Sequence, residues 1–563
     1  MSRRESAVHI AAAGTMEANP PAALGGFTMS LLARRISTSL LLFAACTSLC
    51  AQAPYAEPRT SLAFEAAKKT GTPALYAFLA SMPKGADLHM HLSGAIYAET
   101  FLREAVDQGL CVNPATLSLD VAQKDHDCAK GEIAASFVLK DQHLYDALID
   151  SFSMRGFVPT PGVTGHDQFF ATFARFGAAK NPGQWLDEVA TRAAAQNEQY
   201  LEIMQTPPFA HAAGLGYKLG WPAGATEHIS REQLADLRSK LLADGLKEEV
   251  LTDINDLQAS LNARNTIEHC GGSILMIDPA HPHFAPCSIQ IHFLYQILRA
   301  FPPEQVFAQT LLGFEVAEAA LKANPASPIV VGINFVQPED DRRAMADYHL
   351  QMQMLDYLHS VYPDVKLSLH AGELAPGLVP PDGMSFHIRE AIDLGHASRI
   401  GHGVDVMYET DPAALLKQMA DQHTMVEINL TSNDGILGVK GIDHPLHSYM
   451  AAHVPWALST DDEGVNRSDL TREYVKGAFE QNLTYADLKR SARTALEHSF
   501  LAGESLWAKP DDFAHRKAVC GSVTPAPASH LTGACKDFVM ANEKALQELE
   551  LEFRFATFEA EQH

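Results

Sequence analysis

Eight short apolar segments recur along the chain, and stretches with helical character separate them. They are residues 86–92, 200–205, 290–294, 329–335, 365–370, 399–402, 425–430 and 455–460. Strands that alternate with helices usually pair in parallel, because a parallel connection needs a crossover. The pattern therefore predicts an α/β fold, specifically a (β/α)8 TIM-type barrel, with an open doubly wound sheet as the alternative.

The chain is longer than such a barrel requires. Its 563 residues compare with about 250 for a typical barrel. We expect insertions at about 111–165 and 208–288, the second with a helical stretch, and a helical C-terminal tail over 506–563. No composition shift marks a second domain, so residues 54–563 are predicted to form a single domain. The first insertion is expected to be polar and irregular.

Residues that can bind a metal follow several of the predicted strands. His89 and His91 lie two positions apart on the first strand and so project to one face. His370, His402 and the Asp461-Asp462 pair end the fifth, sixth and eighth strands. In a barrel the carboxyl ends of the strands share one rim, so these side chains should converge. Three imidazoles and one carboxylate suit Zn²⁺ and leave a coordination position for water.

Other histidines lack this context. His281 and His283 repeat the two-residue spacing, but they lie in a proline-rich insertion and are interpreted as surface residues. His387 and His396 flank a predicted helix and are interpreted as structural. Residues 166–176 carry an aromatic stripe at helical spacing. That stripe fits either core packing or a helix lying over a pocket mouth.

The ordered motifs resemble the adenosine deaminase family. They are Met82-Pro83-Lys84-Gly85 running into the His89-Met90-His91 strand, His370-Ala371-Gly372-Glu373, Arg399-Ile400-Gly401-His402-Gly403, residues 427–433, and Ser459-Thr460-Asp461-Asp462 with residues 470–474. They span residues 83–474. The Met-Pro-Lys-Gly motif before the first strand resembles the corresponding sequence in the secreted, growth-factor-type branch of the family and in its bacterial relatives.

The resemblance implies a role for each residue. His89, His91, His370 and Asp461 would hold one zinc ion. His402 and Asp461 would orient the attacking oxygen, with His402 either stabilising charge or taking a proton. Glu373 would protonate ring nitrogen N1 of the purine, and Asp462 would face N7. Ser93 stands where the family commonly has Asp, and Gln337 stands near a position usually held by Gly. Both are candidate substrate-binding residues, and both departures concern the substrate rather than the metal.

The implied activity is zinc-dependent hydrolytic deamination of adenosine or 2′-deoxyadenosine to the inosine product and ammonia. The alternatives are deamination of adenine or another 6-aminopurine, or an exported binding or signalling protein with a vestigial barrel. A two-metal amidohydrolase is disfavoured because no Lys ends the fourth strand, residues 329–335. The cytidine deaminase pattern of His-x-Glu with Pro-Cys-x-x-Cys is absent from the sequence.

Charge and cysteine content bear on partner and compartment. The net charge of −25 argues against a nucleic acid polymer and favours a small-molecule partner, here a purine nucleoside.

Residues 1–53 are interpreted as an extension and signal peptide, with Met29 as an alternative start and Cys46 as an alternative lipid anchor. Their apolar run is too short to span a membrane. Six later cysteines, spaced 17, 17 and 15 apart in neighbouring pairs, suit disulfides in a periplasmic or extracellular protein, with the connectivity open.

Overall fold

The computed structural model describes residues 56–123, 127–270 and 285–562. The predicted leader, residues 1–53, and the interpretation of His281 and His283 lie outside these residues.

The central feature is a parallel sheet of eight strands. With the shorter strands of an insertion, the strands in chain order are β1 (Gly85–His91), β2 (Cys111–Asn113), β3 (Ser118–Asp120), β4 (Ile133–Ala134), β5 (Glu198–Gln205), β6 (Gln290–Leu298), β7 (Val330–Val336), β8 (Lys366–Ala371), β9 (Arg399–His402), β10 (Met425–Ile428) and β11 (Trp456–Leu458). Strands β1 and β5 to β11 form the sheet in that order, each parallel to the next.

The first and last strands of this sheet meet. Asp461, just beyond β11, donates its backbone N–H to the carbonyl of His89 at 2.8 Å, and His91 donates to the carbonyl of Asp461 at 3.1 Å. These two bonds bring the sheet round into a nearly closed barrel and confirm the TIM-type prediction. The open doubly wound sheet is excluded, because its edge strands would remain apart.

Helices cover the barrel and fill the insertions. In chain order they are α1 (Ala56–Thr70), α2 (Thr72–Ser81), α3 (Ala98–Asp107), α4 (Gln142–Ser151), α5 (Gly165–Phe176), α6 (Pro182–Ala195), α7 (Ala210–Leu219), α8 (Arg231–Ala243), α9 (Lys247–Ile267), α10 (Pro303–Ala323), α11 (Arg342–Ala346), α12 (Tyr348–Val361), α13 (His387–Asp393), α14 (Pro412–Gln422), α15 (Leu430–Leu437), α16 (Leu446–Ala451), α17 (Glu463–Asn466), α18 (Leu470–Glu480), α19 (Tyr485–Glu497), α20 (Gly533–Ala541) and α21 (Glu543–Glu561). Among the described residues, no helix is both long and apolar enough to cross a membrane.

Two expectations about local structure were wrong. The first insertion is not irregular, because β2, β3 and β4 form an antiparallel sheet and α4 follows. Strands of two or three residues are too short to show a period-two pattern in the sequence. The predicted seventh strand also ends earlier than expected: β10 stops at Ile428 and Leu430 begins α15. This early stop turns the following polar residues towards the barrel mouth.

The cysteines pair with their neighbours in sequence. Disulfides join Cys111 to Cys128, Cys270 to Cys287, and Cys520 to Cys535. The first two lie in the two insertions, and the third lies in the tail beside α20. Each bond joins two cysteines that lie 15 or 17 positions apart in the sequence and outside the barrel sheet. The local pairing left open by the sequence is therefore the observed one.

A candidate metal and catalytic site at the barrel mouth

The four predicted ligands meet at the carboxyl ends of β1 and β8 and just beyond β11. His91 Nε2 lies 3.2 Å from His370 Nε2 and 3.2 Å from Asp461 Oδ1, and His89 Nε2 lies 3.5 Å from Asp461 Oδ1. All four residues are buried. The fold thus brings these side chains together, as expected for residues ending barrel strands. The ligand atoms of His89, His370 and Asp461 lie within 4.8 Å of one another together with His402, whereas His91 groups with Asp461 and Asp462.

Each of the three imidazoles is held from its other ring nitrogen. Nδ1 of His89 lies 2.6 Å from Glu427 Oε2, Nδ1 of His91 lies 2.9 Å from Gln296 Oε1, and Nδ1 of His370 lies 2.7 Å from Asn334 Oδ1. An oxygen acceptor at Nδ1 places the proton there and leaves the Nε2 lone pair free. This is the arrangement that oxygen partners impose on metal-binding histidines.

Independent contacts show that two of these partners, Asn334 and Glu427, present a hydrogen-bond acceptor to the imidazole. Asn334 donates its amide nitrogen to the Ser368 carbonyl at 2.6 Å, so its oxygen must face His370. Burial alone would raise the pKa of Glu427, but Arg399 and His89 lower it to about 2. Glu427 is therefore an ionised acceptor, and it also receives bonds from Ser368 Oγ and Arg399 Nε.

The donor set fits a zinc ion. Among the described residues, the buried His89 Nε2 has no hydrogen-bond partner, although it faces the other three ligands. A buried polar atom without a partner is costly unless something else satisfies it. Three imidazole lone pairs and one carboxylate oxygen would satisfy it by sharing one cation of borderline softness.

Three residues of the site have left-handed backbone conformations. The φ angles are 88° at Gln337, 69° at His402 and 62° at Asp461. Such angles are uncommon for residues other than glycine and occur preferentially at functional sites. His402 ends β9, so the turn directs its buried side chain into the site beside the predicted ligands. Its Nδ1 lies 2.9 Å from Asn433 Nδ2.

Glu373 follows β8 and is buried at the same point. Burial raises its pKa well above the usual value, and the charges of Asp461 and Glu339 raise it further. Its backbone N–H donates to Glu339 Oε2 at 2.8 Å. The site therefore favours a neutral, protonated Glu373, which can act as an acid near neutral pH.

Asp462 packs against the glycine that follows Ser93. A methyl group added at Gly94 would lie 1.4 Å from Asp462 Oδ1, so only glycine leaves room for this carboxyl group. Burial raises the pKa of Asp462 well above the usual value, and the neighbouring Asp461 raises it further. A protonated Asp462 can donate a hydrogen bond to an acceptor in the cavity.

A cavity of about 350 Å³ opens onto this site. It is lined by His91, Ser93, Phe169, Phe170, Phe173, Gln296, Leu298, Val336, Gln337, Pro338, His370, Glu373, His402, Asp461 and Asp462. Both proposed substrate-binding residues, Ser93 and Gln337, are thus in its wall. The Gln337 side chain is held there because its Oε1 accepts the Ala300 N–H at 2.8 Å.

The aromatic stripe of α5 serves both of the purposes weighed from the sequence. Phe169, Phe170 and Phe173 line the cavity. Phe176 instead stacks on Phe101 in the core, with ring centroids 4.3 Å apart. One helix therefore closes part of the pocket with its first turns and packs into the core with its last.

Sequence reasoning missed the residues that support the site. Gln296, Asn334 and Glu339 were not singled out, although each contacts a site residue or its backbone. The available signal was a polar residue inside an apolar strand, as with Asn334 in β7, or just beyond one. His387, interpreted as structural, bonds to Glu339 at 2.6 Å. His396 lies elsewhere and bonds to Asp356 at 2.9 Å.

Comparison with known proteins agrees with these features. Residues 281–507 match the family model described as adenosine deaminase. Over these residues the chain is similar to the adenosine deaminase family. An adenine deaminase of Rhizobium leguminosarum bv. trifolii is 32% identical over 209 residues, which are 37% of this chain and 56% of that protein. An adenosine deaminase of Enterococcus faecalis is 31% identical over 139 residues, 24% of this chain and 38% of that protein.

The chain spans about half the length of the first curated relatives that it matches, 56% for the Rhizobium enzyme. Among solved structures, an Arabidopsis N6-mAMP deaminase aligns with 75% of this chain and 95% of its own, at 18% identity and a TM-score of 0.46.

Proposed function

We propose that this protein is a metal-dependent hydrolase that deaminates adenosine or 2′-deoxyadenosine to the inosine product and ammonia. The observation that carries the proposal is the convergence, in one buried cavity, of a metal-ligand set with the buried carboxyl group of Glu373. A hydrolytic deamination needs both a water nucleophile and an acid for the ring nitrogen.

His89, His91, His370 and Asp461 would hold the metal, which we propose to be one Zn²⁺. When bound, zinc lowers the pKa of a coordinated water towards about 7, supplying a nucleophilic oxygen at neutral pH. The three imidazoles are already turned with Nε2 towards one another by Glu427, Gln296 and Asn334. Little reorganisation is therefore needed to receive the ion.

Glu373 would donate its proton to ring nitrogen N1 of the purine. Protonation withdraws electrons from C6, the carbon that bears the amino group, so the water oxygen can add there. Of the two protons of the water, one restores the acid form of Glu373 and the other goes to the amino group. Breaking the C6–N bond then releases ammonia and leaves a carbonyl oxygen on C6. Asp462, kept neutral by burial, would donate to N7 and hold the base in this orientation.

The cavity favours a substrate without phosphate. Of the described residues that line it, none is Lys or Arg. Phosphate binding normally needs such a cation or a set of free backbone N–H groups. The aromatic rings of Phe169, Phe170 and Phe173 instead offer apolar faces for a purine or the carbon side of a sugar. An uncharged nucleoside or base is thus preferred over a nucleotide.

Adenine is the second candidate substrate. The relatives named adenine deaminase support it, and so does Ser93, which brings no charge for a sugar hydroxyl. Purified protein should be assayed with adenosine, 2′-deoxyadenosine, adenine and AMP, following purine absorbance and ammonia release. Turnover of a nucleoside supports the leading proposal, and turnover of adenine alone replaces it. Release of no ammonia from any of the four would favour the vestigial binding protein.

We further propose that the protein works in an oxidising compartment. Three disulfides support this, because such bonds are rare where cellular thiols are kept reduced. Cell fractionation and thiol labelling without reductant would test it. All six of these cysteines should resist labelling, and recovery of the protein in the cytosol with free thiols would contradict the proposal.

A further inference from the structure

A line of hydrogen bonds runs from the start of α16 to the site histidine His402. The backbone N–H of Leu446 donates to His444 Nδ1 at 3.2 Å. His444 Nε2 lies 3.1 Å from Asn433 Oδ1, and Asn433 Nδ2 lies 2.9 Å from His402 Nδ1. All three side chains are buried, so water does not compete for these bonds.

The direction of each bond follows from the first. A backbone N–H can only donate, so His444 Nδ1 must be bare. Burial lowers the pKa of His444 to about 4, so the ring is neutral and its single proton lies on Nε2. That proton is donated to Asn433, whose oxygen therefore faces His444 and whose NH₂ group faces His402. The hydrogen bond donated by His444 therefore fixes the orientation of the Asn433 amide group.

The consequence concerns His402. Because Asn433 donates to its Nδ1, that nitrogen is bare and the proton of the neutral ring lies on Nε2. Asn429 Nδ2 lies 3.4 Å from the same nitrogen and would reinforce the arrangement. Glu373 Oε1 lies 3.6 Å from it, beyond hydrogen-bond distance. The Nε2 side faces Asp461 Oδ2 at 4.0 Å, and among the described residues Nε2 has no hydrogen-bond partner.

We propose that His444 is a positioning residue that, through Asn433, holds His402 in the tautomer with its proton on Nε2. His89 and His370 have the opposite tautomer, imposed by oxygen acceptors at Nδ1. Although His402 lies close to these ligands, it therefore presents a hydrogen-bond donor to the cavity rather than a lone pair. In the proposed reaction it would stabilise the incoming oxygen by donation and would not take its proton.

The tautomer can be read directly by NMR on the zinc-loaded, full-length protein labelled with [¹⁵N]histidine. The His402 signals are assigned as those lost in His402→Gln. A protonated Nε2 and a bare Nδ1 give well-separated pyrrole-type and pyridine-type nitrogen shifts. We expect the pyrrole-type shift at Nε2 in the unmodified protein. The pyrrole-type shift at Nδ1 would overturn the proposal, whatever the enzyme activity.

Variants of His444 test the relay itself. His444→Phe keeps the ring but removes the donor, so Asn433 can turn over and the His402 nitrogen shifts should move. His444→Gln retains an amide donor near the position of Nε2 and should preserve them. His447→Phe is the matched control, because His447 bonds instead to the Gln481 carbonyl at 2.9 Å. Unchanged His402 shifts in His444→Phe would contradict the relay.

Asn433→Asp gives a second, independent perturbation. A carboxylate can only accept, so it would draw the His402 proton to Nδ1 and remove the donor at Nε2. The kinetic arm rests on the proposed function: kcat should fall by roughly 10²–10³-fold, as on removal of one transition-state donor, while KM changes little. If no deaminase activity exists, the NMR shifts still decide the tautomer. A normal kcat in Asn433→Asp, with the His402 proton moved to Nδ1, would show that the tautomer of His402 does not affect catalysis.

Discussion

Glu339 accepts the backbone N–H of Glu373 at 2.8 Å and the N–H of Gly372 at 3.1 Å. The same buried carboxylate lies 2.6 Å from His387 Nδ1. Glu339 follows β7 and Glu373 follows β8, so this contact ties together the ends of two neighbouring strands. It fixes the backbone from which the proposed acid projects.

Replacement of Glu339 should therefore impair catalysis without removing any group that touches the substrate. In Glu339→Gln, one of the two oxygens becomes a donor and faces an N–H. We expect kcat to fall about 10-fold or more and the unfolding free energy to fall by about 1–3 kcal/mol. Glu390→Gln is the control, since Glu390 bonds to the exposed His349. An equal kcat in the two variants would show that Glu339 does not position Glu373 for catalysis.

Glu339 should also make stability depend on pH. Burial would raise its pKa, but His387 and Arg299 lower it to about 2, from an ordinary value of 4.5. The unfolded chain thus binds this proton more readily than the folded one. The contribution of ionised Glu339 to the free energy of unfolding is complete above pH 4.5 and is lost as the pH falls towards 2. Urea unfolding of wild type and Glu339→Gln from about pH 6 to 3 should show their stability difference narrowing with acid.

Glu373→Gln tests the proposed acid. Gln has nearly the same shape but carries no acidic proton, so turnover should fall by at least about 10³-fold while zinc stays bound. Metal content, by atomic spectroscopy, and kcat should be measured on the same sample. Activity within 10-fold of wild type would show that another group protonates the substrate.

Gly94→Ala should displace Asp462. The added methyl group would overlap Asp462 Oδ1, forcing the carboxyl group out of its position. We expect a loss of about 10-fold or more in kcat/KM, from weaker orientation of the substrate. Gly214→Ala in α7 is the matched control, because a methyl group there meets open space. The control should instead be stabilised by about 0.5–1 kcal/mol, as alanine is the better helix former.

The metal site makes a separate prediction. Purified protein should contain about one zinc per chain, and a chelator should lower both activity and Tm, with both restored by added zinc. The His91→Ala variant should bind zinc at least 10-fold more weakly than the wild type. His349→Ala, at an exposed histidine bonded to Glu390, should not. Zinc content well below one per chain in active protein would contradict the proposed ligand set.

The sequence by itself determined the barrel and the chemical character of its mouth. Alternation of apolar segments with helices predicted strands close to the observed β1 and β5 to β11. The two-residue spacing of His89 and His91 placed both on one face of β1. These inferences rest on local periodicity, which a strand or helix imposes on its own residues.

Only the tertiary structure decided what surrounds each imidazole. Glu427 lies 338 residues from His89 along the chain, Gln296 lies 205 from His91, and Asn334 lies 36 from His370. No local pattern pairs residues so far apart, because their approach depends on closure of the whole barrel. Those contacts fix which nitrogen carries the proton, and hence which histidine can bind a metal and which, like His402, presents a donor.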